Sequence, residues 1–296
     1  VTMNVDGFHQ HMKTGLTTVS HAWAVVRKDG VAQGFTDHDR DLRFDDMLFR
    51  ADSGLSAAAL QQGTGLSVDN SEAVGALSAT AITEADIAAG RYDGAEVVAW
   101  LVNWADTSER KILFRGHIGE IIREGAAFRA ELRGLTEFLN RPVGRVFQAP
   151  CSAVLGDASC GFDLSGDGFF ADGVVMEIES ADRFVIQSVS AQPPQWFQRG
   201  ACAVLSGAAE GLTRAIKRDE PLGDGLRRVQ LWEELRAPLT AGDSVRVTAG
   251  CDKRFETCRL KFANTLNFQG FPDIPSDDWV AVSPSSTAVR DGGSRR

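Results

Sequence analysis

Cys251 and Cys258 stand seven positions apart in GCDKRFETCRLKFANTLNFQGFP, residues 250–272, with basic residues around them and aromatic, Asn and Gly residues after them. Cys151 and Cys160 form an earlier pair, and the four thiols fall within a span of 108 residues. Iron–sulfur clusters and structural zinc both take thiolates, commonly four, gathered from separated pieces of chain. Arg145, Lys253, Arg254, Arg259 and Lys261 would favour the thiolate form and offset a cluster's negative charge. The spacing is not that of a routine zinc motif. The pairs enclose eight and six residues, where zinc pairs usually enclose about two to four, and bacterial ferredoxin spacing is not matched either. Four-cysteine ligation therefore stands beside three other readings: ordinary structural thiols, disulfides, and a catalytic thiol. The last would need a nearby histidine base, and His9, His11, His21, His38 and His117 all lie in the first half. Cys202, alone in the apolar RGACAVLSGAA, reads as a buried small hydrophobe.

Composition narrows these readings. An odd number of cysteines and an N-terminal VTMNVDGFHQHMKTG without a basic-then-apolar leader argue against a secreted disulfide scaffold. No apolar run nears the roughly 18 residues of a membrane helix, so no membrane insertion is expected. The chain has 296 residues, is 43% apolar and carries a formal charge of −9. Such a surface should not coat nucleic acid, because counterion release needs clustered cations. DNA, if met at all, would pass by rather than bind.

The elements that must position the cysteines read as β. GAEVVAWLVNWAD (94–106) predicts a strand, and 111–135 predicts two strands joined around Glu124-Gly125. In the second arm Phe128, Ala130 and Leu132 alternate with charged residues, the pattern of a half-buried strand. Residues 173–189 predict a hairpin turning near Ala181-Asp182, and 227–235 and 243–250 predict further strands. Short helices are expected from Ser53-Gly54 through SAAALQQG, after Thr83 to a stop at Gly90, and over 135–144. The prolines of NRPVGRVFQAP place a boundary near residue 145. This gives two β-rich domains, 1–145 and 146–283, and a small polar tail, 284–296, expected to be disordered.

Other motifs carry less. FTDHDRDLRFDD (35–46) packs acids around one histidine, but sequential residues on a turn cannot all face one centre, and it reads as a solvated turn into a strand at Leu42. Gly-Asp segments at 156–157, 166–168 and 223–225 are turn chemistry, with no phosphate loop, dinucleotide fingerprint or nucleophile elbow. Trp100, Trp104, Trp232 and Trp279 read as core or interface anchors.

FTDHDRDLRF, LSVDNSEAVGAL (66–77), IAAGRYDGAEVVAWLVNW (87–104) and the 251–275 segment resemble the phage-tail hub (baseplate hub) proteins of gene transfer agents and related long-tailed phages. The resemblance extends over residues 10 to 280 and implies a structural protein, not an enzyme. It implies two β-barrel-like hub domains per chain and a homotrimer. Three copies of two domains would match a hexamer of distal tail protein above and join it to a trimeric central fibre protein below. DNA would pass through the channel without specific binding, past acidic walls. The particle would be assembled in the bacterial cytoplasm and released as a tailed particle. The cysteine domain is similar to the tail-tip protein L of lambda-like phages. That likeness implies that Cys151, Cys160, Cys251 and Cys258 bind a [4Fe-4S] cluster, with Cys202 outside the set and structural zinc as the alternative. A rival function is a cell-wall-degrading enzyme of the tail tip, which would need a Cys/His pair that the second half lacks.

Overall fold

In a computed structural model the described residues are 3–51, 55–59, 70–76, 82–124, 127–134, 144, 146–188 and 192–274. The chain divides into two compact units, Val1–Pro142 and Val143–Arg296.

The first unit is built on one sheet. Its strands are β1 (Val19–Val26), β2 (Ala32–Thr36), β3 (Leu42–Phe44), β4 (Met47–Arg50), β5 (Leu55–Ala59), β6 (Asn70–Ala76), β7 (Glu96–Asn103), β8 (Arg110–Glu124) and β9 (Ala127–Gly134). They run in the order β3-β4-β2-β1-β7-β8-β9-β6-β5, with β2 and β4 the parallel neighbours. Two cores lie on opposite faces of β1. Trp23 and Val25 join Phe35, Tyr92, Val97 and Phe114 on one side. Ala22 and Ala24 join Phe44, Phe49 and Val102 on the other. Period-two alternation with both faces apolar gives this burial directly. Trp100 packs edge-on against Phe44 and Phe49, ring centroids 5.5 and 5.7 Å away.

The predicted strands over 94–106 and 111–135 are β7, β8 and β9. Ala130 and Leu132 are buried as their alternation requires. Thr83 caps the helix Glu84–Ala88 by accepting from the Asp86 N–H at 3.2 Å, and Gly90 follows at φ +72°. The acidic 37–40 segment is a bend leading into β3.

Two expectations are corrected here. The helix placed on SAAALQQG is instead strand β5 at Leu55–Ala59, paired antiparallel with β6; a sheet partner outweighs the modest helix preference of alanine. The first unit is also not a closed barrel among the described residues: β3 and β5 end the sheet, and β3 is only three residues long. The expected helix over 135–144, apart from residue 144, and the expected disordered tail 284–296 lie outside the described residues, as does Trp279.

The second unit is a closed six-stranded barrel. Its strands are β10 (Phe170–Ser180), β11 (Arg183–Ser188), β12 (Ala201–Val204), β13 (Thr213–Gly223), β14 (Leu226–Leu231) and β15 (Ser244–Thr248). The circuit β10-β11-β14-β13-β12-β15 closes where β15 pairs β10. The hairpin read at 173–189 is β10–β11, turning at Ala181-Asp182. Its interior holds Val175, Ile186, Ile216, Val229, Leu231, Val245 and Val247. It also holds a buried ion pair: the Arg227 guanidinium donates to Asp219 Oδ1 at 2.6 Å, and Asp219 Oδ2 accepts from the Phe197 N–H at 2.9 Å. Burying two charges costs solvation, and hydrogen bonds on both partners offset it.

Candidate metal centre

Barrel closure determines where the cysteines lie. Phe170 opposes Thr248 at the seam, and the Ala249 N–H donates to the Phe169 carbonyl at 2.7 Å. Chain entering the barrel at 151–169 and chain leaving it at 249–274 therefore emerge side by side. Two cysteine pairs remote in sequence become neighbours.

Each pair is held by its own local structure. Asp157 Oδ1 accepts from the Cys160 N–H at 2.6 Å and Oδ2 from the Val154 N–H at 2.8 Å, fixing the loop that carries Cys160. These backbone donors, that of Cys160 first, hold the Asp157 carboxyl below the usual carboxylate range. Gly161 follows at φ +60°. Cys258 lies in the short helix Phe255–Leu260, its N–H donating to the Arg254 carbonyl at 3.1 Å. Gly250 precedes Cys251 at a close crossing, where a Cβ would strike the Gln198 carbonyl.

The two pairs are tied together. The Cys151 N–H donates to the Lys253 carbonyl at 2.8 Å. Asn264 Nδ2 donates to the Cys160 carbonyl at 2.7 Å and sits 3.6 Å from its Sγ. Backbone N–H groups of Lys253 and Gln269 point at the sulfurs of Cys251 and Cys151, each at 3.4 Å. Cys258 Sγ donates to the Asn264 carbonyl at 3.3 Å. The Cys258 thiol is pushed up by burial first, then by Cys251, Cys151 and Cys160. The electrostatic neighbours of this thiol thus include the other three cysteines. Burial also raises Cys251, partly opposed by the Lys253 N–H.

All five cysteines are free thiols. Cys202 is set apart, 1% exposed on β12, with burial raising its pKa to about 12. As they stand, no three His, Cys, Asp or Glu side chains among the described residues are arranged to hold a metal ion. The donor chemistry nonetheless suits a thiolate-ligated group: four thiols, with N–H groups aimed at three sulfurs, the kind of contact that tunes cluster sulfurs.

Of the basic neighbours expected to favour thiolates, Lys253 acts on Cys251, while its Nζ donates to the Ala153 carbonyl. Lys261 donates to the carbonyls of Trp196 and Gly250 and lies 4.3 Å from the Trp196 ring centre; burial first lowers its pKa to about 8. Arg254 and Arg259 are solvent-exposed, and Arg145 lies outside the described residues. The bridging roles of Asn264, Gln269 and Asp157 escaped the sequence reading. The signal was present as Asn, Asp and Gly next to the cysteines, the residues of side-chain-to-backbone turns. Next to the site Phe162, Phe169, Phe262 and Trp196 form one aromatic cluster, Phe169 stacked with Trp196 and Phe262, and Phe162 edge-on to Phe262 with centroids 5.0 Å apart.

Among the described residues no helix is long and apolar enough to cross a membrane. No curated protein matches the chain. A solved structure titled "Virion of native gene transfer agent (GTA) particle" contains a chain that is 50% identical, covering 98% of this chain and 99% of its own, with a TM-score of 0.86. Residues 195–278 match the family described as phage conserved hypothetical protein BR0599, a span that includes Cys202, Cys251 and Cys258. Residues 6–163, which take in Cys151 and Cys160, match the model described as baseplate hub protein, N-terminal attachment domain, and the chain belongs to that baseplate hub family.

Proposed function

We propose that this baseplate hub is a structural component of the tail tip of a phage-like DNA-delivery particle, with no catalytic role. The likeness at half identity over nearly the whole chain to a protein of a gene transfer agent virion carries this reading. The hub is a homotrimer that joins a distal tail hexamer to a trimeric central fibre protein, and its acidic charge lets DNA slide past without sticking. It is assembled in the bacterial cytoplasm and leaves with the particle. The test is deletion of the chain followed by electron microscopy of particles. Tails that stop short of their tip, restored by the supplied chain, are the expected result; intact tips without it would end the reading. Muropeptide release by the pure protein would revive the tail-tip enzyme.

Cys151, Cys160, Cys251 and Cys258 would hold a [4Fe-4S] cluster in this hub, which when bound would supply a structural cross-link rather than electron transfer. The chain's own residues position the thiols: Asp157 fixes the Cys160 loop, Asn264 ties that loop to the Cys258 helix, and the N–H groups of Lys253 and Gln269 meet sulfur. Metal affinity then becomes folding energy for a domain whose ligands close a long loop. Anaerobic purification with iron, sulfide and zinc analysis decides the ligand. About four irons with a band near ~400 nm are expected of the cluster. About one colourless zinc would keep the site and change the cofactor, and neither metal would remove both.

A further inference from the structure

On the second unit a cleft of about 350 Å³ opens beside the cysteine centre, lined among others by Gln195, Arg199, Asp252, Arg254, Thr257 and Lys261. One wall is the 194–199 loop, the other the 250–261 segment. Both are held firmly. The Gln195 N–H donates to the Asp219 carbonyl at 3.0 Å, the Arg199 N–H to Ile216 at 2.8 Å, and the Gly250 N–H to the Trp196 carbonyl at 3.1 Å. Gln195 and Arg199 sit at φ +63° and +64°, left-handed backbone that persists only where surrounding bonds fix it.

The charge inside the cleft opposes that of the molecule. In a chain of formal charge −9, three cations line it against the single carboxylate of Asp252. One oxygen of that carboxylate is taken by backbone, Oδ1 accepting from the Arg254 N–H at 3.0 Å, and the other makes only a long ion pair, Oδ2 lying 3.8 Å from Arg254 Nε. Among the described residues Arg199 reaches only the Asp252 carbonyl, at 3.5 Å. Lys261 donates to two carbonyls. Among the described residues the Arg199 guanidinium meets no carboxylate and that of Arg254 has only the 3.8 Å contact with Asp252, and each fork matches a carboxylate in bidentate geometry.

We propose that this cleft docks an acidic polypeptide segment of a neighbouring protein, its carboxylate side chains reaching Arg199 and Arg254. The proposal rests on the structural-hub reading, since such a hub must bind other chains. Acidic peptide is favoured over nucleic acid because the net negative charge repels a polyanion long enough to extend beyond the cleft, whereas a side-chain carboxylate enters it locally.

Fluorescence polarisation with a labelled hexa-glutamate peptide on the whole protein tests it, with a single-stranded DNA hexamer as the matched anion and inorganic phosphate as competitor. The peptide should bind, weaken as salt rises, and lose roughly tenfold in affinity in an Arg199→Asn, Arg254→Gln variant, two charge-assisted contacts being removed. Asparagine tolerates the left-handed backbone at 199, and Arg254→Gln alone changes a side chain that is 81% exposed, so a folded variant is available. No peptide binding, unchanged binding in the variant, or DNA bound as tightly as peptide would overturn the proposal. Incorporation of the chain into tails is a separate readout, so loss of the cleft and loss of the hub reading are distinguishable.

Discussion

Asn264 joins Cys160 across 104 residues of sequence, donating from Nδ2 to its carbonyl at 2.7 Å while its own carbonyl accepts from Cys258 Sγ at 3.3 Å. One residue thus contacts a cysteine from each pair. Asn267 Nδ2 donates to Asn264 Oδ1 at 2.8 Å and holds the amide in this orientation. Replacing Asn264 by Leu should cost about 1–3 kcal/mol through the unsatisfied Cys160 carbonyl, read as a lower urea midpoint. Metal bound per chain should fall with it. An unchanged midpoint would show that the two loops are held without this residue.

The buried Arg227–Asp219 pair makes a different demand. Asp219 is fully buried, Arg227 nearly so, and the same guanidinium stacks 5.0 Å from the Phe197 ring centre. Asp219→Ala leaves a buried cation and a Phe197 N–H without acceptor. A loss of about 3–5 kcal/mol is expected, with release of the 192–200 loop visible as faster amide exchange there.

Cys202 gives stability a pH dependence of known sign. Its thiol ionises near 9.0 when free and near 12 in the fold. Between those values the unfolded chain has lost a proton that the folded chain keeps, so stability present below about pH 9 declines as pH rises. Wild type should lose more stability than Cys202→Ala between pH 8.5 and pH 10.5, as roughly measured by denaturant midpoints. Parallel curves would remove Cys202 from the titration.

Thiol labelling should divide the cysteines into two classes. In metal-free protein, alkylation should reach Cys151, Cys160, Cys251 and Cys258, all partly exposed, before buried Cys202. Rates at Cys251 and Cys258 should climb with pH because burial holds both in the thiol form. Loaded protein should protect these four together. Labelling of Cys202 ahead of the others would contradict the burial.

Hairpins with strong alternation were legible in the sequence. β8–β9 and β10–β11 lie where apolar periodicity and a turn signal coincide, because both causes act within a few residues. The barrel circuit was not legible, since β10 and β12 join β15, and β11 joins β14, by ladders between distant segments. Strand β5 shows the same limit, an alanine-rich run taken into a sheet by its partner. At the site, residue types were readable and proximity was not. Cys160 and Asn264 are related by closure of β10 on β15, which no local pattern encodes.

The seam between β10 and β15 also governs how the second unit bears load. Its first and last strands are neighbours, paired over Phe170↔Thr248 through Val174↔Ser244. The four thiols lie outside that ladder, on the segments through which any pull from the flanking chain must enter. A cross-link there would take tension before the seam does, so the strands could not be unzipped from their ends. A cysteine-held clasp would make the barrel behave as a closed loop under force.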